Sequence, residues 1–144
     1  MPSWPDFLMG FAEHAATKSK DSTQVGAALV GPRRETLLTA YNGPPIGVRD
    51  LPTRRERPMK YLYASHAEAN LIAFAARKGI STEGCTVYVT HFPCAACART
   101  LIQAGITAVV AGTGTTSMAE EEFMAAAQMF SEANVTVTDL KVKE

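Results

Sequence analysis

From Cys85 onward the chain alternates short β-branched, apolar runs with longer stretches of helical periodicity, and this alternation restricts the fold more than any other feature. The runs "CTVYVT" (85–90), "TAVVAG" (107–112) and "VTVTDL" (135–140) read as strands. The stretches at about 93–104 and 118–133 read as helices, with Gly105 where a helix C-terminal glycine belongs and Met118, Met124 and Met129 as helix packing. Strand–helix–strand alternation predicts parallel strands joined by right-handed crossovers. Upstream, "QVGAALV" (24–30) and "ETLLTAY" (35–41) flank the turn "GPRR" and read as a hairpin. Residues 4–18 read as an amphipathic helix whose stripe holds Phe7, Leu8, Phe11, Ala12 and Ala15, with Ser3 and Asp6 resembling a capping box and Pro5 in the first turn. The predicted order α-β-β-α-β-α-β-α-β makes a three-layer α/β/α sandwich with a five-stranded mixed sheet. No linker, repeat or low-complexity tract interrupts the 144 residues, so residues 1–144 are expected to form a single domain.

Charge and cysteine usage narrow the function. Lys plus Arg and Asp plus Glu number 14 each, so the net charge is zero and the basic footprint of a protein for long DNA or RNA is missing. The three cysteines Cys85, Cys94 and Cys97 are an odd set with two of them three apart, which fits reduced thiols or metal ligands and not a disulfide framework. The first residues lack the basic-then-apolar pattern of a signal peptide, and no apolar run approaches the ~20 residues that span a bilayer. A soluble, cytoplasmic protein with no membrane partner is expected.

The stretch "HAEANLIAFAARKG" (66–79) carries a helical apolar pattern in Leu71, Ile72, Ala75 and Ala76 and stops at Gly79. That pattern accounts for a core-facing helix but not for His66 and Glu68 at its start. "PCAAC" follows, with Cys94 and Cys97 at i and i+3 and Pro93 expected in the first turn of their helix. One imidazole and two thiolates suit Zn²⁺, and two helix N-termini aimed at the metal favour the thiolate form. Three protein ligands leave a tetrahedral position open, as catalytic zinc requires. Glu68 is then placed to move protons without ligating the metal. H-x-E with P-C-x-x-C is the signature of zinc nucleobase deaminases, and the two halves together, with a strand leading into the cysteines, make a strong signal. The plainer reading is a structural zinc closed by Cys85, His14 or His91, which leaves Glu68 without a role. In that comparison Cys85 reads as a small buried hydrophobe and His14 as a surface residue of the first helix.

Beyond the zinc set, "DSTQVGAALV", "AYNGPPIGVRD", "LPTRRERPMKYLYASHAEAN" and "THFPCAACARTLIQAGITAVV" resemble the deoxycytidylate (dCMP) deaminases of the cytidine deaminase superfamily, over about residues 21–140. The resemblance implies zinc on His66, Cys94 and Cys97, a proton shuttle at Glu68, a substrate contact at Asn42, and the Ala67 backbone at the pyrimidine carbonyl. Asn42 suits its role because an amide both donates and accepts, although Asn-Gly is also a turn signal. The loop from Asn42 to about Met59 holds Arg49, Arg54, Arg55 and Arg57, and Lys60 follows it. Arg54, Arg55 and Lys60 are the candidate phosphate partners, since guanidinium forks match phosphate oxygens. Ile46 stands where many members carry a polar or basic residue. The implied activity is hydrolysis of dCMP to dUMP, with a homo-oligomer, up to a hexamer, and a deoxynucleoside triphosphate effector. The alternatives are another cytosine nucleotide, a nucleoside, a free base, or a zinc-stabilised binding protein without catalysis.

Overall fold

The computed structural model describes residues 1–142; Lys143 and Glu144, at the end of the expected 1–144 domain, lie outside the described residues. Helix α1 (Trp4–Ala16) is capped by Ser3, whose hydroxyl accepts the Asp6 N–H at 3.3 Å. Strands β1 (Gly26–Val30) and β2 (Thr36–Tyr41) form the expected hairpin. After the long loop come α2 (Lys60–Tyr63), α3 (Ala67–Lys78), β3 (Thr86–His91), α4 (Ala95–Gln103), β4 (Ala108–Gly114), α5 (Glu120–Glu132) and β5 (Thr136–Asp139).

The sheet order is β2-β1-β3-β4-β5, antiparallel from β2 to β3 and parallel from β3 to β5. Side-chain alternation divides β1 between two cores. Ala28 and Val30 pack with Tyr88 and Val110 under Leu8, Met9 and Ala12 of α1. Ala27 and Leu29 face the opposite way and pack with Val87, Val89 and Val109 under Leu71, Leu101 and Phe130. The three layers of the expected sandwich are therefore α1, the sheet, and α3 to α5. Leu71 and Leu101 are fully buried, and burial of each contributes roughly 1.5–3 kcal/mol, so α3 and α4 are anchored in the same core. Gly26 is required where α1 crosses β1, because a β-carbon there would collide with the Ala12 carbonyl oxygen.

Around the site the boundaries differ from the sequence-based expectation. Helix α3 begins at Ala67, because His66 is its extended N-cap (φ −70°, ψ 154°). Helix α4 begins at Ala95, with Cys94 extended at its N-cap (ψ 173°), so Pro93 precedes the helix instead of opening it. Helix α5 starts at Glu120, after Met118 and Ala119; three glutamates fill its first turn, where the helix dipole favours negative charge. The expected loop holds a 3₁₀ turn at Pro52–Arg54 and is followed by the one-turn α2. Of the three methionines, Met129 packs against the core, whereas Met118 and Met124 are exposed.

Candidate active site

The site forms where α3 and α4 begin beside the C-terminal end of β3. His66 at an N-cap faces Cys94 at an N-cap and Cys97 three positions later, at N3. N-cap and N3 side chains converge at a helix start, which is the geometry a capping box uses. The convergence of the two sulfurs therefore comes from cap geometry and not from one helical face. His66 Nδ1 lies 3.3 Å from Cys97 Sγ and 3.5 Å from Cys94 Sγ. The three donor atoms all lie within 4.8 Å of one another. Bond lengths of ~2.0 and ~2.3 Å at a tetrahedral metal put N and S about 3.5 Å apart, so the donor set fits zinc. Cys85 sits at the other end of β3 and bonds the Ser81 carbonyl at 3.6 Å, and His91 Nδ1 is 2.7 Å from Thr90 Oγ1. Neither belongs to the donor group.

Electrostatics at the three donors follow from crowding. The hydrogen bond from Cys97 lowers the Cys94 thiol to about 4, with further help from His66, so Cys94 is the thiolate. The same hydrogen bond to Cys94, together with burial, pushes Cys97 upward. His66 is raised by its hydrogen bond with Cys94, against the opposing effect of burial. Glu68, second residue of α3, is 4% exposed, and burial pushes its carboxyl up to about 7. A carboxyl near neutrality both takes and gives protons at physiological pH.

A cleft of about 190 Å³ opens over His66, Glu68 and Cys94, and Asn42, Ala67 and Lys60 line it too. Asn42 is 9% exposed and holds the cleft wall: Oδ1 accepts the Val25 N–H at 3.0 Å and Nδ2 donates to the Thr23 carbonyl at 2.8 Å. Its amide keeps a second N–H and a second lone pair for a ligand. Ala67 is the first residue of α3, so its N–H has no intrahelical acceptor. Lys60 is turned inward onto Asp21, with Nζ 2.9 Å from Oδ1.

Arg54 and Arg55 do not line this cleft. They line a neighbouring concavity of about 430 Å³ with Lys18 and Lys20. Local partners hold them there: Arg55 Nε is 2.8 Å from Asp50 Oδ1, and Arg54 lies over the Tyr63 ring, 4.2 Å from its centroid. The loop cation in the cleft is Arg57, whose Nη2 donates to Ser117 Oγ at 3.1 Å across the mouth. Paired hydrogen bonds between Gly43 and Ser65, of 3.0 and 2.8 Å, bring the two ends of the loop together and return Arg57 to the site. Arg57 stands in the same basic run as Arg54 and Arg55, and only the path of the loop separates them.

Helix α4 has a further support that no local sequence pattern marks. Cys94 makes no side-chain cap bond; instead Glu122 Oε1, from α5, accepts the Ala95 N–H at 3.1 Å. The acidic start of α5 was the only signal of it.

A sandwich that offers a three-donor zinc set and a buried acid at the mouths of two helices defines a class of metal-dependent hydrolytic enzymes. Residues 2–113 match the family model described as the cytidine and deoxycytidylate deaminase zinc-binding region. The chain belongs to that family. It is 41% identical over 139 residues to an uncharacterized deaminase from the luxG 3′ region of Aliivibrio fischeri, covering 94% of this chain and 92% of that one. It is also 41% identical over 114 residues to the deoxycytidylate deaminase of Mus musculus, covering 74% of this chain. The aligned region spans 63% of the mouse enzyme's length. The apo crystal structure of dCMP deaminase from cyanophage S-TIM5 superimposes with a TM-score of 0.77 at 25% identity, covering 97% of this chain and 99% of that one.

Proposed function

We propose that the protein hydrolyses dCMP to dUMP and ammonia, with residues 1–144 acting as one deaminase domain. The observation that carries this is the His66–Cys94–Cys97 donor set with the buried Glu68 beside it at the floor of the cleft. Zinc held by the three donors supplies a Lewis acid that brings the pKa of water down to about 7. Glu68 takes one proton of the attacking water and delivers it to ring N3, then carries the proton of the hydroxyl newly bonded to C4 to the amine, which leaves as ammonia as the C4 carbonyl forms; its pKa of about 7 suits both transfers. The Ala67 N–H holds the pyrimidine carbonyl, and Asn42 orders Thr23–Val25 and offers its remaining amide valence to the sugar. Arg57 is the cation for the monophosphate. Lys60 orders the wall through Asp21, and Arg54 and Arg55 serve the neighbouring concavity.

Relatives named deoxycytidylate deaminase support the substrate class. The decisive experiment compares zinc-loaded protein on dCMP, dCTP, deoxycytidine, cytosine and a tRNA stem-loop adenosine. The expected order puts dCMP first; equal or better turnover of a nucleoside or free base overturns the assignment.

The same reading carries a cytoplasmic homo-oligomer, up to a hexamer, with a deoxynucleoside triphosphate as effector. The exposed aromatic row Trp4, Phe7 and Phe11 on α1 supports self-association, which light scattering tests. The concavity lined by Lys18, Lys20, Arg54 and Arg55, with Asp21 and Asp50 among them, supports an anionic effector, which dCTP and dTTP titrations of turnover test. No helix among the described residues is long and apolar enough to cross a membrane.

A further inference from the structure

His91 is a second cleft-lining histidine with no part in the zinc set. Its ring is held from two sides. Thr90 Oγ1 accepts the Gly26 N–H at 3.1 Å and lies 2.7 Å from His91 Nδ1. A hydroxyl that already accepts one hydrogen bond has its own proton to give, and a neutral imidazole Nδ1 is the acceptor within reach. On the other side the ring packs on Gly114, its partner across β3 and β4, where a β-carbon would collide with Cε1 and Nε2. With Thr90 as the donor of this contact, Nδ1 accepts and the imidazole proton lies on Nε2. Burial, and secondarily the charge of Lys141, lower the His91 pKa and keep this neutral form at physiological pH. The Thr90 contact engages Nδ1 alone, and the ring lines both the cleft and the adjoining concavity that holds Gly114, Asp139 and Lys141.

His91 shares the cleft with Arg57 and Ser117, which are joined across its mouth. A locked neutral donor beside a guanidinium and a hydroxyl matches the oxygens of a phosphate monoester. We infer that His91 Nε2–H is a specificity-determining contact to the 5′-phosphate of the pyrimidine nucleotide. This rests on the nucleotide reading of the site given above.

The test measures kcat/KM for dCMP and for deoxycytidine in the zinc-loaded wild-type, His91→Leu and His91→Gln proteins, with zinc content recorded for each. The wild type is expected to prefer dCMP. In His91→Leu the dCMP-to-deoxycytidine ratio falls by about tenfold to a hundredfold, the size of one hydrogen bond to a charged group, and the loss lies in KM. His91→Gln keeps a donor at the same reach and retains the ratio to within about threefold, as one preserved hydrogen bond predicts. A zinc-loaded His91→Leu that keeps the wild-type ratio overturns the inference, and so does equal loss on both substrates. A wild type without preference for dCMP fails the nucleotide reading itself, and the inference falls with it.

Discussion

Lys60 Nζ lies 2.9 Å from Asp21 Oδ1, with both side chains less than a tenth exposed, and the pair joins α2 to the segment leading into β1. Asp21 Oδ1 also accepts the Thr23 N–H at 2.9 Å, so one carboxylate organises the wall that Asn42 completes. Removing one partner strands the other charge in a poorly solvated place. Lys60→Met or Asp21→Asn is predicted to destabilise the protein by about 3–5 kcal/mol, measured by urea unfolding of zinc-loaded protein. A Lys60 that served only to bind phosphate would instead raise KM for dCMP and leave the unfolding midpoint in place.

Glu122 reaches from α5 to the Ala95 N–H, next to Cys94 of the proposed zinc set. Groups that orient metal ligands typically matter by about 10- to 100-fold in metal affinity, and Glu122→Ala is predicted to weaken zinc binding by that amount. Glu122→Gln keeps an acceptor oxygen and is predicted to restore most of the affinity. Competition with a chromophoric chelator measures both; equal weakening in the two variants would assign Glu122 a charge effect and not an orienting one.

Glu68→Gln is predicted to keep one equivalent of zinc and the wild-type circular dichroism spectrum while losing about 10²- to 10⁴-fold in turnover of dCMP, the usual contribution of a positioned proton carrier. Wild-type rates in this variant would remove the proposed shuttle.

Zinc removal is predicted to abolish turnover, and zinc alone to restore it. Because thiolate and neutral imidazole are the binding forms, metal is released as pH falls, and Cys94→Ala or Cys97→Ala lowers zinc content in proportion to lost activity. Activity that survives in metal-free protein, verified by elemental analysis, would contradict the account.

Much of this was legible in the sequence, because periodicity reports burial on one or two faces. The runs at 27–30, 87–89 and 109–111 are buried strands, and Gly79 ends α3 in the left-handed conformation (φ 69°), as its position foretold. The donor set was legible because the starts of two helices carry it, His66 and Cys94 at N-caps and Cys97 at N3. Less visible were features set by tertiary contact. Pro93 fits a first helical turn, yet Cys94 stays extended to bring its sulfur to His66. Arg54, Arg55 and Arg57 are chemically alike, and Asp50, Tyr63 and Ser117 separate them only after the loop has folded. His91 is a candidate zinc ligand by residue type, and the fold instead sets its ring against Thr90, outside the donor group. The Glu122 contact spans 27 residues and leaves no local pattern.

The central claim is a zinc ion held by one imidazole and two sulfurs with a fourth position for water. Zinc K-edge absorption of the purified protein tests it most directly. The predicted coordination is two sulfurs at about 2.3 Å and two nitrogen or oxygen atoms at about 2.0 Å, one of them exchangeable by a small anion. A third sulfur, a second imidazole closing the shell, or protein purified without zinc would contradict it.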